Sequence, residues 1–392
     1  VEKTKTEGEN TETYREDETL NSMVPLWKKN KNEITKEEYD AFYKDNFHDY
    51  EAPAKVIHYS AEGKVDYKAL LYIPARPAYD FYTKNFEKGL KLYTNGVLIT
   101  DCCKELLPDC FSFVKGIVDS DLTLNVSRET IQHNAQLKFI AGNIEKKIKN
   151  ELLSLQANDR ETYEKFYKGF ARQLKYAIYD NWGMNKDAVK DLVMFHSIKE
   201  DKLVTLKEYV EKMSENQKFV YYATGNSVES IKSLPLCEQV LDNGYDIICL
   251  TEDVDEFALK MLGEYDGKEF RSISAYDEEE SKADEVENKP LTDLMKDALG
   301  DKVTGVRITK KLKTHPVAIS TKGELSMEME KVLNRAPEAQ DSVKAEKVLL
   351  VNADHAIYKT LCAMLNSDPE KVKKVAEVLY NQALLIEGAT VE

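Results

Sequence analysis

The 392-residue chain carries 55 Lys and Arg against 70 Asp and Glu, a formal net charge of −15, and 42% of its residues are apolar. At about 100–200 residues per domain, this length predicts two or three domains. The negative charge argues against nucleic acid and against an anionic membrane as main partners, because both bind through concentrated Lys and Arg. The 22 Tyr and 13 Phe are enough to fill hydrophobic cores, which excludes a wholly disordered chain.

No run of the sequence approaches the roughly 18 apolar residues of a membrane span, and the first ten residues do not resemble a signal peptide. The six cysteines lack the paired spacing of a metal site or of a disulfide framework. They are Cys102, Cys103, Cys110, Cys237, Cys249 and Cys362. This pattern predicts free thiols in a reducing compartment, and we therefore expect a cytoplasmic protein without a metal site.

The first 23 residues are charged and polar without periodicity, and we interpret them as a linker. Because the chain opens inside it without an initiator Met, we expect another domain upstream. Short β-rich runs follow, and Asn95-Gly96 between two of them predicts a hairpin. The predicted strands are 69–73, 90–93, 97–99 and 111–114. Apolar residues three and four apart over 137–152 and 163–174 then predict two long helices.

Thr205 and Glu208 have the spacing of a capping box and predict a helix at about 206–214. Two strands with a helix between them follow, which indicates a second, small α/β layer. These elements are 218–223, 227–242 and 245–250. The acidic stretch 276–289 is interpreted as a solvated linker or edge rather than a metal site. The remaining predicted elements are strands at 303–309 and 348–352 and helices at 292–299, 324–335, 354–366 and 369–387.

The common nucleotide and hydrolase motifs, GxxxxGK[ST], GxGxxG, GxSxG and HExxH, do not occur. The adjacent Cys102 and Cys103 could form a thiol nucleophile with a His, but packing is the commoner role of such residues. The chain therefore shows no catalytic motif of its own.

The stretch DSDLTLNVSRETIQ at 119–132 leads from a strand into a helix. If the helix begins near Ser127, Arg128 and Gln132 lie on one face of its first turn. Free backbone amides and a guanidinium group can both bind a phosphate there. The alternative is that Arg128 pairs on the surface with Glu129 or Asp121.

Several segments, in order from about residue 24 to residue 388, resemble the heat shock protein 90 chaperone family. ALLYIPARPAYD at 69–80, LYTNGVLITD at 92–101, FVKGIVDS at 113–120 and the 119–132 stretch are similar to its middle domain. VTGVRIT at 303–309, GELSMEMEKVL at 323–333 and LVNADH at 350–355 are similar to its C-terminal dimerisation domain.

The resemblance implies a chaperone that couples ATP turnover in an N-terminal domain to clamp-like closure of a dimer around client proteins. It implies that Arg128 contacts the terminal phosphate of ATP and that Gln132 supports it. ATP and Mg²⁺ would be held by that N-terminal domain, so we expect this chain alone to need no cofactor and not to be an enzyme. Tyr79 would be the aromatic residue that docks against the same domain.

Two positions depart from the family pattern. Thr123 stands where the family usually has Pro, and Arg76-Pro-Ala-Tyr79 replaces the order Arg-Ala-Pro-Phe. The chain ends in EGATVE rather than in Met-Glu-Glu-Val-Asp, which favours a bacterial-type member.

With this resemblance, the predicted architecture is multi-domain and combines α/β and α+β classes. We expect a linker at 1–23, a middle domain at 24–285 and an α+β dimerisation domain at 286–392. The middle domain would comprise a large α/β part at about 24–155, a helical connector at about 156–215 and a small α/β part at about 216–275.

The last predicted helix carries one apolar stripe along its whole length. Its candidate dimerisation residues are Val372, Val375, Leu379, Ala383 and Ile386. The family uses this region in an intermolecular helix bundle, whereas the alternative is a helix that only covers its own domain.

Leu325, Met329 and Leu333 fall on one side of a short amphipathic helix, where the family exposes a client-binding segment. With Trp27 they are the candidate client-binding residues, although the Met side and Trp27 could equally be core. The expected partners are client proteins, the protein's own N-terminal domain and a second copy of the chain. The rival interpretation is a stand-alone scaffold or peptide-binding protein with no nucleotide role.

Overall fold

The computed structural model describes residues 2–7, 10–15, 24–121, 135–335 and 343–391. The chain divides into two compact units, Val1–Gly169 and Phe170–Glu392. Helices and sheets of mixed strand direction alternate in both units, so the predicted α/β and α+β, multi-domain class is confirmed.

The first unit opens with a hairpin of β1 (Glu2–Glu7) and β2 (Asn10–Arg15). The linker predicted at 1–23 therefore contains a pair of strands, which differs from that prediction. Threonines at alternate positions explain it, because a β-branched residue favours a strand. In the antiparallel register Thr4 lies opposite Thr13, and Thr6 lies opposite Thr11.

A five-stranded sheet with the order β3-β4-β7-β5-β6 forms the centre of the first unit. Its strands are β3 (Lys55–Ala61), β4 (Tyr67–Ile73), β5 (Leu90–Thr94), β6 (Val97–Cys103) and β7 (Lys115–Ser120). β5 and β7 run parallel, and the other neighbours are antiparallel. The predicted hairpin at Asn95-Gly96 is confirmed, with φ of 51° and 80° at the two turn residues.

The strand predicted at 111–114 is wrong. Residues Asp109–Phe111 form a 3₁₀ turn, and the strand begins only at Lys115. Phe111 and Phe113 are buried in a T-shaped pair with centroids 6.1 Å apart. Buried aromatic residues in a turn produce the same short apolar run as a strand, because burial and not strand geometry selects them.

The first unit contains the helices α1 (Lys36–Phe47) and α2 (Ala135–Asn158), and α3 (Arg160–Tyr179) begins in it. A capping box of Thr35 and Glu38 begins α1. The apolar spacing that predicted α2 corresponds to a fully buried stripe, which confirms that helix. The stripe consists of Leu137, Ile140, Ile144, Ile148 and Leu152.

The second unit contains a six-stranded sheet with the order β12-β13-β10-β11-β8-β9. Its strands are β8 (Met194–Ser197), β9 (Lys202–Thr205), β10 (Val220–Thr224), β11 (Ile247–Leu250), β12 (Glu264–Tyr265) and β13 (Lys268–Ser272). The helices around them are α4 (Lys186–Val189), α5 (Leu206–Glu211), α6 (Val228–Lys232), α7 (Pro235–Asp242) and α8 (Asp255–Leu262). The parallel β10 and β11 confirm the predicted small α/β layer.

Two local sequence signals explain helices of this layer. The capping box of Thr205 and Glu208 is present, with both reciprocal hydrogen bonds. The helix predicted over 227–242 is broken into α6 and α7, because Pro235 disfavours a helical conformation at the preceding Leu234 and then starts a new helix.

The last part of the second unit is a three-stranded sheet covered by helices. Its strands, in the order β14-β16-β15, are β14 (Gly305–Thr309), β15 (Val317–Lys322) and β16 (Glu346–Asn352). Its helices are α9 (Glu278–Ser281), α10 (Lys289–Leu299), α11 (Met327–Arg335), α12 (Ala356–Ser367) and α13 (Pro369–Ile386). Within the described ranges, every helix is too short or too polar to cross a lipid bilayer.

The acidic stretch 276–289 is more tightly attached than a solvated linker would be. The backbone N–H of Tyr276 donates to Thr321 O (2.8 Å), and that of Val286 donates to Ile308 O (2.9 Å). The stretch therefore runs along the three-stranded sheet and contacts two of its strands.

Candidate functional site

The predicted phosphate-binding residues Arg128 and Gln132, and Thr123 before them, lie outside the described residues, but the strand leading to them is described. β7 is the middle strand of the five-stranded sheet, and the carboxylate of the buried Asp119 near its end has three donors. Trp27 Nε1 donates to it at 3.0 Å, the backbone N–H of Gly96 at 3.2 Å, and Lys28 Nζ lies 3.1 Å away. Charge-assisted hydrogen bonds of this kind hold the strand end in a fixed position immediately before the Arg128 segment.

Trp27 is not available to a client protein, which corrects the sequence prediction. Its side chain is only 7% exposed and belongs to a core cluster with Tyr43, Tyr72 and neighbouring residues. Its ring packs 4.8 Å from that of Tyr93, and its N–H is used by Asp119. Both the apolar face and the polar atom of Trp27 are therefore occupied within its own unit.

Tyr79, the predicted docking residue, is fully exposed in the connection between β4 and β5. The connection is held on both sides of it. On one side, Pro77 packs so closely against Gly169 of α3 that a Cβ on Gly169 would lie 2.5 Å from Pro77 Cδ. On the other side, Tyr82 Oη donates a hydrogen bond to Gly169 O at 2.7 Å. Tyr79 therefore projects from a loop whose neighbouring residues are fixed.

α11 carries two of the three predicted client-binding residues, and Leu325 precedes it. Ser326 caps the helix, because its Oγ accepts a hydrogen bond from Met329 N at 3.1 Å. No residue of α11 is fully buried: Met329 is half-buried, as is Leu325, and Leu333 is 38% exposed. The apolar side predicted from the spacing is thus partly open to solvent.

α8 holds the start of α11 at two points one helical turn apart. The buried Glu256 accepts hydrogen bonds from Ser326 Oγ (2.5 Å) and from Tyr222 Oη (3.0 Å), and burial raises the pKa of its carboxyl group. Lys260 Nζ donates to the backbone oxygen of Glu324 at 2.5 Å. Polar contacts therefore hold the start of α11 against α8.

A shallow groove lies between α8 and α11, and sequence reasoning did not select its main aromatic residue. Phe257 lines it together with Met329 and Val332. In α8 the buried residues are Asp255, Glu256, Ala258, Leu259 and Leu262. Phe257 and Met261 are the large apolar residues that this pattern leaves partly exposed. An apolar residue outside the buried positions of its helix is the signal that could have identified Phe257.

The candidate dimerisation residues of α13 are divided by the structure. Val372, Leu379 and Ala383 are buried in a core with α10 and β15, and Val375 packs partly against the same core. Ile386 packs against the core of the small α/β layer. These side chains are occupied within their own unit, so the predicted stripe does not form an open surface.

The opposite face of α13 carries two apolar side chains that are not among the predicted dimerisation residues. Val378 and Leu385 are each 65% exposed and stand seven residues apart. Because seven residues are close to two helical turns, both lie on one side of the helix.

The whole chain, residues 1–392, matches the family model described as Hsp90 protein. The chain belongs to the Hsp90 family. It is 56% identical over 389 residues to the chaperone protein HtpG of Clostridium acetobutylicum, covering 97% of this chain and 62% of that protein. The HtpG of Clostridium perfringens is 54% identical over 393 residues, covering 99% of this chain and 63% of the relative. That of Alkaliphilus oremlandii is 53% identical over 386 residues, covering 96% and 62%.

This Hsp90-family chain spans about three fifths of the length of the curated relatives it matches. The predicted family resemblance is confirmed, and so is the bacterial type, because the matched relatives are bacterial HtpG chaperones.

The thiols of this Hsp90-family chain are poorly suited to nucleophilic chemistry. All six cysteines are free, and burial raises the pKa of Cys103 and Cys110 to about 12. Burial also raises the pKa of Cys102, which keeps it in the thiol form. Among the residues that the structure describes, no group of three or more His, Cys, Asp and Glu side chains could hold a metal ion.

Proposed function

We propose that this chain is the part of a molecular chaperone that binds unfolded or partly folded client proteins, and that Leu325, Met329 and Leu333 form the contact. The observation that carries the proposal is an amphipathic helix, α11, without a single fully buried residue. A helix of nine residues is normally stabilised by burying its apolar face, so one that leaves this face partly open has that area available for a partner.

The residue types on the apolar side of α11 are suited to binding many different apolar sequences. Met329 has a flexible, polarizable side chain that repacks against different apolar sequences at little cost. Leu333 adds exposed apolar area one turn further along the same side. Since an unfolded chain exposes apolar side chains of varied shape, such a surface suits it better than a rigid pocket would.

The test is the double variant Met329→Glu with Leu333→Glu. We expect suppression of the aggregation of an unfolded client to be lost, while the melting temperature falls by no more than a few degrees. Arg335→Glu is the matched control, since it adds the same residue to an exposed polar position of α11 and should retain suppression. A melting temperature lowered by many degrees would show that this face is buried and would contradict the client-site assignment.

We further propose that, in the longer protein, Arg128 contacts the terminal phosphate of ATP held by an N-terminal domain and that Gln132 supports it. Tyr79 would dock against that domain, and ATP and Mg²⁺ would bind there rather than to this chain. The coverage of the relatives leaves room for such a domain. The fixed strand end at Asp119, directly before the Arg128 segment, supports a role in which the arginine is presented from a rigid base.

Arg128→Ala in the longer protein should lower ATP turnover much more than nucleotide binding. A charge-assisted contact in a dry site contributes a few kcal/mol, about 10²–10³ in rate. Lys138→Ala, which removes one exposed cation from the beginning of α2, is the control and should leave both unchanged. Equal losses of binding and turnover would make Arg128 structural, and unchanged turnover would refute the assignment.

A further inference from the structure

The turn after α3 has an unusual backbone. At residues Asp180–Gly183, Asn181 (φ 48°), Trp182 (57°) and Gly183 (74°) are consecutively left-handed. A bulky residue such as Trp rarely adopts this conformation. A Cβ at Gly183 would lie 2.9 Å from Met261 Cγ, which shows that only glycine lets the turn sit this close to α8.

This conformation points large apolar side chains into solvent. Trp182 is 94% exposed and Met184 is 84% exposed, while Tyr176 and Tyr179 are 44% and 36% exposed. Single exposed apolar residues are ordinary on protein surfaces, but four within nine residues form a patch. We call residues 179–184 the Trp182 turn.

The Trp182 turn is continuous with the groove between α8 and α11. The ring of Tyr179 lies 6.1 Å from that of Phe257, and Phe257 lines the groove with Met329 and Val332. The free space in the groove, about 10 Å³, has room for about one water molecule and none for a side chain. A polypeptide must therefore lie across this surface, with the protruding Trp182 as its most accessible contact.

The charges of the same surface indicate which segments fit it. The residues that line the groove include four carboxylates and no basic side chain. They are Glu252, Asp253, Glu256 and Glu328. Lys175 Nζ lies 3.7 Å from Glu252, and Lys331 Nζ lies 3.3 Å from Glu328. Asp253 has no ion pair within the described ranges. Glu256 is buried, and these two lysines offset the charges of Glu252 and Glu328, so the exposed carboxylate that attracts Lys and Arg is Asp253. Aromatic rings also bind guanidinium groups through cation–π contacts.

We propose that the Trp182 turn, with Tyr176, is a docking site for extended segments of unfolded protein that contain both aromatic and basic residues. The inference rests on the proposed chaperone function and adds to it a second contact and a sequence preference. Aromatic side chains stack on Trp182, and Arg or Lys side chains lie over Tyr179 and reach Asp253. Acidic segments are repelled by Asp253.

The experiment measures the fluorescence anisotropy of two labelled 12-residue peptides, one of Phe, Leu, Ser and Arg, and one in which Glu replaces every Arg. We expect the Arg peptide to bind at least about tenfold more tightly than the Glu peptide. Trp182→Ser should weaken the binding of the Arg peptide about tenfold or more. Tyr50→Ser, which removes another largely exposed aromatic side chain, is the matched control and should bind as the unmodified chain does.

A second readout comes from the two tryptophans. Trp27 is buried, so a blue shift and a loss of acrylamide quenching on addition of the Arg peptide report on Trp182. Asp253→Lys should weaken binding of the Arg peptide and not of the Glu peptide, without changing the melting temperature. These results together would support both the docking site and its preference.

Equal affinity of Trp182→Ser and the unmodified chain for the Arg peptide would overturn the inference, as would equal affinity for the two peptides. If Trp182→Ser still suppresses client aggregation fully while Met329→Glu with Leu333→Glu does not, the chaperone proposal stands and the turn is not part of it. A change of mass in light scattering caused by Trp182→Ser would assign the turn to contact between copies of the chain and would also overturn it.

Discussion

α11 and α13 have the same sequence pattern and different surroundings. Both place apolar residues three and four apart, and the spacing predicts one apolar face for each. In α13 that face is closed, whereas α11 has no fully buried residue. The buried residues of α13 are Val372, Ala376, Leu379, Tyr380, Ala383 and Leu384. Periodicity thus predicts that a face exists, and the neighbouring elements decide whether it is core or surface.

The two helices are also held by different forces. α13 packs against α10, α12 and β15, so its position comes from burial of apolar area. α11 is held mainly by polar contacts of Glu330 with Lys347 (2.9 Å) and of Ser326 with Glu256 (2.5 Å). Of its apolar residues, Met327 packs against the core. This difference suits α13 to carry stability and α11 to carry binding.

The same substitution in the two helices should change the free energy of unfolding by very different amounts. Leu379→Ala removes a buried side chain from the core of the three-stranded sheet, and we expect a loss of about 2–5 kcal/mol in the free energy of unfolding. Leu333→Ala, in the exposed face of α11, should change it by no more than about 0.5 kcal/mol. Urea denaturation of both variants measures the difference.

Circular dichroism of the folded baselines checks that each variant begins from a native-like state. Similar losses for both variants would mean that α11 is buried as α13 is, and the distinction between the two helices would be wrong. A negligible loss for Leu379→Ala would mean that α13 is not part of the core.

The two faces of α13 also differ from each other: Val378 and Leu385 are exposed on the outer face, whereas the other face is buried in the core. We propose that this outer face pairs with a second copy of the chain. Burying one such side chain at an interface contributes about 1.5–3 kcal/mol, so Leu385→Asp should raise the dissociation constant of the dimer more than tenfold. Light scattering over a concentration series should give twice 44.9 kDa for the unmodified chain and a lower mass for the variant.

Gln382→Asp is the control for this face, since it adds the same charge to an exposed polar position of α13 and should leave the mass unchanged. An unmodified chain that scatters as a single 44.9 kDa species at micromolar concentration would contradict dimerisation. A Leu385→Asp variant with the full dimer mass would place the interface on another surface.

Local signals in the sequence predicted local structure well. Asn95-Gly96 predicted its hairpin because both turn residues need positive φ, and Thr205 with Glu208 predicted a helix start because their side chains satisfy its free amides. β15 was missed because five of its six residues are buried, so the alternation that marks a half-exposed strand is absent.

Long-range features could not be predicted in the same way. The placement of Trp27 in the core depends on its hydrogen bond to Asp119, which is 92 residues away in the sequence. The exposure of Phe257 and Trp182 depends on which side of a helix or turn the rest of the unit covers. The spacing of apolar residues within one element does not predict which side is covered. The exposure of the apolar side of α11 therefore required the structure, whereas its amphipathic character did not.

The smallest expected effect concerns the polar attachment of α11. Ser326 caps the helix and donates to the buried Glu256, so Ser326→Ala removes a cap and leaves that carboxyl group with one donor fewer. Loss of such a cap costs about 0.5–2 kcal/mol, which corresponds to about two- to thirtyfold faster hydrogen exchange if opening is local. We expect the amides of residues 329–332 to exchange faster in this range, while those of α13 keep their protection. Ser326→Thr, which retains the hydroxyl group, should keep the slow exchange of these amides. Faster exchange in both helices would show that α11 opens only with the whole domain, and unchanged exchange in α11 would show that the cap does not hold it.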